Sequence, residues 1–106
     1  MIVTTTDKIE GKIISEHLGV VTAEVVRGAN LFKDFFAYIV DIFGGRSSSY
    51  EDVLMSAQKQ ALDELMYRAK ELGADALVAV RFNVEAVGSS GSMIMVTAFG
   101  TAVKIK

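Results

Sequence analysis

One stretch, Ser48 to Val84, limits what this chain can become. Ser48 stands three residues before Glu51, the spacing of a capping box, in which a hydroxyl takes a free backbone N–H and a carboxylate reaches back. Leu54, Ala61, Leu62, Leu65, Ala69 and Leu72 then fall on one helical stripe. Glu51 and Asp52 lie at the positive end of the expected helix dipole, Arg68 and Lys70 at the negative end. Gly73 follows the last apolar residue, where a left-handed cap favours glycine. From there Ala76, Val78, Val80, Phe82 and Val84 alternate with less apolar neighbours, which predicts a strand. The organising unit is therefore one long helix turning tightly into a half-buried strand.

The other elements arrange themselves around this unit. Ile2 to Thr6 reads as a short strand, and Asp7-Lys8 and Glu10-Gly11 as turns. Extended structure begins at Lys12 to Ser15 and resumes from Leu18 to Val26, with Gly19 marking a bulge or a close backbone contact. Asn30 reads as a helix N-cap for a helix expected over Leu31 to Phe43, a run apolar at almost every position. That run is too short to span a membrane, which takes about 20 residues. Asp34, Tyr38 and Asp41 form a narrow polar seam, and the polar face has two Asp and one Lys where a membrane-surface helix usually carries Lys and Arg, so the helix is expected to be buried and membrane contact is disfavoured. Gly88-Ser89-Ser90-Gly91 predicts a hairpin turn into a last strand from Met93 to Lys104. The expected order is strand, strand, helix, helix, strand, strand in a single α+β domain over residues 1–106.

The hairpin fixes a register. An even loop centred on Ser89-Ser90 pairs residues whose numbers sum to about 179. Ala76, Val78, Val80, Phe82 and Val84 then share a face with Met95, Thr97, Phe99, Thr101 and Val103. Leu77, Ala79, Arg81, Asn83 and Glu85 share the other with Ile94, Val96, Ala98, Gly100 and Ala102. A three-residue bulged loop swaps the two sets. Either way both faces of the last strand are largely apolar, and one helical layer covers only one of them.

Composition narrows the function. The net charge is -2 with both signs interspersed, which argues against a general grip on nucleic acid. There is no Cys, hence no disulfide and no thiolate metal site, and the start of the chain does not read as a signal peptide. A cytoplasmic location is the expectation. Apolar residues make up 51% of the chain, so a small monomer would leave many of them in water.

Candidate sites are few. His17 is the only His, and the oxygen ligands Glu24, Asp34 and Glu85 suit hard cations better than heavy metals. Arg46, Ser47 and Ser48 precede a helix N-terminus, where free N–H groups, hydroxyls and a guanidinium hold a phosphate or carboxylate. Arg27 and Asn30 repeat the idea more weakly. The P-loop spacing is absent, and no nucleophile motif accompanies the serines, so the chain is not read as an enzyme. No cofactor is specified by these residues.

Gly19-Val-Val-Thr22, Glu24, Gly28-Ala29-Asn30, Asp34, Phe36-Ala37, Asp41-Ile42, Gly44-Gly45-Arg46-Ser47, Tyr50-Glu51, Gly73-Ala74-Asp75-Ala76 and Gly100-Thr101-Ala102-Val103 resemble the YbjQ family over essentially the whole chain. The resemblance implies a dodecin-subunit-like fold, a helix on a small antiparallel sheet of order 1-3-2. It also implies a homopentameric ring with extra short strands at the subunit joins, and a heavy-metal-binding label. The family pattern Asp-x-Asp-Tyr-Glu is replaced here by Arg81-Phe-Asn-Val-Glu85, which removes two carboxylates. The expected function is a non-enzymatic homopentamer holding a small ligand or metal between subunits. The alternative is a structural or partner-binding ring that uses the helix over 31–43.

Overall fold

The computed structural model describes residues 1–27, 48–88 and 93–106, with Ser48–Tyr50 described as backbone only. Strand β1 is Ile2–Val3, β2 is Ile14–Arg27, helix α1 is Ser48–Glu71, β3 is Ala76–Val87 and β4 is Met93–Ile105. The strands form one sheet in the order β1-β3-β4-β2. The three long strands are antiparallel and give the expected 1-3-2 order, while β1 joins β3 in parallel. The sheet is therefore mixed rather than purely antiparallel. The expected second helix over 31–43 lies outside the described residues, among which α1 is the single helix.

Helix α1 packs through a stripe of small residues. Ala57, Ala61, Leu65 and Ala69 recur every four residues and are fully buried, with Leu54, Leu62 and Met66 beside them. They meet Val21, Ala23 and Val25 of β2, Val96, Ala98 and Ala102 of β4, and Leu77 and Val80 of β3. Alanine on both sides lets the helix lie close to the sheet and bury its neighbours without voids. Leu72, expected on this stripe, is 49% exposed because the helix has already ended. The stop is the glycine cap read from the sequence. Gly73 has φ +83°, its N–H donates to the Lys70 carbonyl at 2.9 Å, and Ala74 N–H donates to the Ala69 carbonyl at 3.1 Å. These are the two bonds of a Schellman motif, with Ala74 packing back toward the core. On the wet side, Lys59–Asp63 and Arg68–Glu64 form i,i+4 pairs, each at 3.1 Å. Arg68 also donates to the Thr22 carbonyl at 2.7 Å, tying α1 to β2.

The register between β3 and β4 changes partway along. Ala76, Leu77 and Val78 pair with Val103, Ala102 and Thr101, in the register the even loop predicts. Beyond Val78 the pairing moves by one residue, and Arg81 faces Phe99, Asn83 faces Thr97 and Val84 faces Val96. The extra residue is absorbed at Ala79 and Val80, where Ala79 takes φ +54°. Two residues oppose one, which is a β-bulge. Gly100 stands at this point, and a Cβ on it would meet Val80 Cγ2 at 3.0 Å and the Val78 carbonyl oxygen at 3.2 Å. The face assignment is thus half corrected. Phe82 and Val84 join the helix-side face of Val96 and Ala98, while Arg81, Asn83 and Glu85 turn to the opposite face. Gly19 marks a second irregularity, with φ +130° and a register shift between His17 and Gly19.

The face away from α1 is not bare along its whole length. Ile9, Ile14 and Ile105 cover Ala76, Val78 and Val103 at one end. The turn over residues 7–12 supplies a small second core that one helical layer could not. Further along, this face is open.

Candidate functional site

Cross-strand pairing lays out the open face in rows, because directly opposed residues point to the same side. Thr22, Phe99 and Arg81 form one row, Glu24, Thr97 and Asn83 the next, and Val26, Met95 and Glu85 the third. Val20 and Thr101 precede them beside Val78. Val20 is 77% exposed, Val26 52% and Phe99 38%. The surface is therefore an apolar patch crossed by Glu24, Asn83 and Glu85, with Arg81 at the end nearer the Ile9 layer.

The polar groups of this face are partly committed. Asn83 Nδ2 donates to Glu85 Oε1 at 2.8 Å. Arg81 Nη1 donates to the Thr5 carbonyl at 2.7 Å and to its neighbour's, Val80, at 3.0 Å. The Arg81 cation therefore holds the N-terminal segment. The backbone adds to this grip, since Thr4 N–H donates to the Leu77 carbonyl, Val80 N–H to the Thr4 carbonyl and Ala79 N–H to the Thr6 carbonyl. Sequence reasoning did not assign this role to Arg81, and only the distance-blind cue of a cation in a β-strand hinted at one.

Of the expected metal ligands, Glu24 and Glu85 lie on the same face, on β2 and β3 with β4 between them and one row apart. Asp34 lies outside the described residues. Among the described residues no three His, Cys, Asp or Glu side chains come together as a metal would require. His17 is exposed on β2. Asp75, another carboxylate of the sequence, accepts the Ile105 N–H at 3.1 Å and so fastens the end of β4.

Of the expected anion-binding residues, Arg46, Ser47 and Asn30 lie outside the described residues, and for Ser48 only the helical backbone is described. Arg27 ends β2 and reaches α1, where Nη2 donates to Gln60 Oε1 at 2.6 Å and lies 3.5 Å from Ser56 Oγ. A shallow groove runs beside it at the other end of the helix, lined by Val20, Val21, Thr22, Arg68, Glu71 and Leu72. Among the described residues no helix is long and apolar enough to cross a membrane.

A long Schellman-capped helix lying across an antiparallel 1-3-2 sheet, with a short parallel strand on one edge, defines a small α+β module. The YbjQ family model, described as "Putative heavy-metal-binding", matches residues 1–106, and the chain belongs to that family. A crystal structure of a protein of unknown function in the DUF74 family, from Pediococcus pentosaceus, is similar to it. The TM-score is 0.70 at 20% identity, and the match covers 100% of this chain and 98% of that one. DUF74 and YbjQ are the same family, and the likeness at this identity speaks to the fold. No reaction is attached to the family's description.

Proposed function

We propose that the chain is the subunit of a non-enzymatic homo-oligomer, five-fold in accord with its family resemblance, that binds its ligand between subunits. The observation that carries this reading is β2. All fourteen of its residues lie on an edge of the sheet, with no strand beyond it among the described residues. An edge this long presents a row of unpaired N–H and C=O groups, and natural proteins shield such edges. Val20 and Val26 add exposed apolar surface on the same strand, next to Phe99. A second copy on this edge or face hides both kinds of surface at once.

Among the described residues, nothing within one chain fits a heavy metal. Cysteine is absent, the single His is exposed, and no trio of ligands forms among the described residues. Glu24 and Glu85 approach the open face from different strands, so a neighbouring copy would have to complete any ligand set. Oxygen donors of this kind suit a hard cation or a small polar molecule. The location expected for such a subunit is the cytoplasm.

Native mass spectrometry of protein purified without chelator or added metal tests both parts together. A multimer carrying a small mass that is lost on activation is the expected result. A bare single chain overturns the proposal, and a bare multimer removes the ligand while keeping the assembly.

A further inference from the structure

We infer that residues Ile2–Thr6 act as a strap that sets which face of the sheet the outer half of β3 presents. Three observations meet at one point. The bulge at Ala79–Val80 is the place where the register of β3 on β4 changes by one residue. Ala79 holds φ +54° there, a conformation that side chains other than glycine's rarely adopt. Every strap contact at the bulge is a donation from β3 into the strap. Ala79 N–H reaches the Thr6 carbonyl at 2.8 Å, Val80 N–H the Thr4 carbonyl at 3.0 Å and Arg81 Nη1 the Thr5 carbonyl at 2.7 Å.

Apart from Val80, which is buried under α1 at the bulge itself, nothing described holds the outer half to its register. From Arg81 to Ala86 every residue is exposed, so neither face is sealed by packing. Phe82 and Val84 are 40% and 39% exposed on the helix side, because α1 covers β2 and β4 rather than this part of β3. Register is weakly specified where neither face is buried. The connecting sequence Gly88-Ser89-Ser90-Gly91 suits an even loop, which belongs to the other register. Without the strap, Ala79 is free to leave its strained conformation, and β3 pairs in the register of Ala76–Val78 throughout. Arg81, Asn83 and Glu85 then exchange faces with Val80, Phe82 and Val84, and Ala79 takes the place of Val80 under α1. The open face trades its cation, amide and carboxylate for three apolar side chains. Binding or release of the first six residues thereby rewrites the chemistry of that face.

The chain has no cysteine, so paired cysteines report register. Residues 83 and 97 are direct partners in the observed register, whereas 84 and 95 lie on opposite faces. Slippage makes 84 and 95 partners, at the cross-strand spacing a disulfide accepts. The experiment compares oxidation of Asn83→Cys/Thr97→Cys with that of Val84→Cys/Met95→Cys, in the full chain and in a chain lacking residues 1–6. In the full chain the 83/97 pair cross-links faster; without the strap the preference reverses, by about tenfold or more. Deleting Ala79 as well removes the extra residue, so that strapless chain returns to the 83/97 cross-link. Persistence of the 83/97 preference in the strapless chain overturns the inference. Should that chain not fold, Arg81→Ala in the full chain gives the reading. Trapping of the 84/95 pair is expected to accelerate several-fold, and an unchanged rate overturns the inference equally.

Discussion

The two halves of β3 share a strand and a partner, yet they live in different environments. Ala76, Leu77, Val78 and Val80 are almost fully buried, with α1 on one face, the Ile9 layer on the other and β1 along the edge. From Arg81 to Ala86 the strand is exposed on both faces. Hydrogen bonding to β4 continues through both halves, so ladder pairing does not account for the difference. Coverage does. The inner half contributes to the stability of the single chain. The outer half, with the β2 edge, is the surface that the proposed assembly would use.

The strongest test of that division is a charge beneath the helix. Val96 is fully buried on the helix-side face of β4 and touches the α1 layer. Val96→Glu leaves an unpaired carboxylate there, at a cost of several kcal/mol against a domain stability of about 5–15 kcal/mol. Circular dichroism should show an unfolded chain, not a folded chain that merely fails to assemble.

Next come matched truncations within β3. Leu77→Ala empties a fully buried position and should cost about 2–5 kcal/mol in urea unfolding. Phe82→Ala, at a side chain 40% exposed, should cost under about 1 kcal/mol in a dissociated chain. Its larger effect falls on assembly. Equal losses at the two sites would erase the contrast between the halves.

A smaller effect is expected at the helix stop. Gly73 has φ +83° with open space where a Cβ would sit, so Gly73→Ala meets only the backbone penalty, about 1 kcal/mol. An unchanged melting midpoint would show that the cap relaxes. Smallest of all is the response to soft metals. Titration calorimetry with Zn, Cu or Cd should give weak surface binding only. Saturable submicromolar binding abolished by His17→Ala would show a site that no described cluster accounts for.

What the sequence revealed and what it hid divide along the same line. The helix and its glycine stop are local patterns, and each was legible. The bulge at Gly19 was legible too, because glycine marks it. The bulge at Ala79 was not. Alanine carries no sign of a positive φ, and the groups that hold it, the Thr4 and Thr6 carbonyls, lie at the far end of the chain. Missing it left the even and odd registers as whole-strand alternatives, whereas β3 uses the even one up to Val78 and the swapped one from Arg81, which hid the open-face rows. The Ile9 layer escaped for a related reason: a lone isoleucine among turn residues has no periodicity to read. For the candidate site, Glu24 and Glu85 were named from ligand type alone, and only the pairing of both strands with β4 places them on one face.

Light scattering coupled to size exclusion, on the full chain at micromolar concentration, most directly tests whether the exposed β2 edge and outer β3 are interfaces. A species at five times the 11.4 kDa chain mass is expected, and it should persist on dilution. A well-folded species at the mass of one chain contradicts the assignment of these surfaces to assembly.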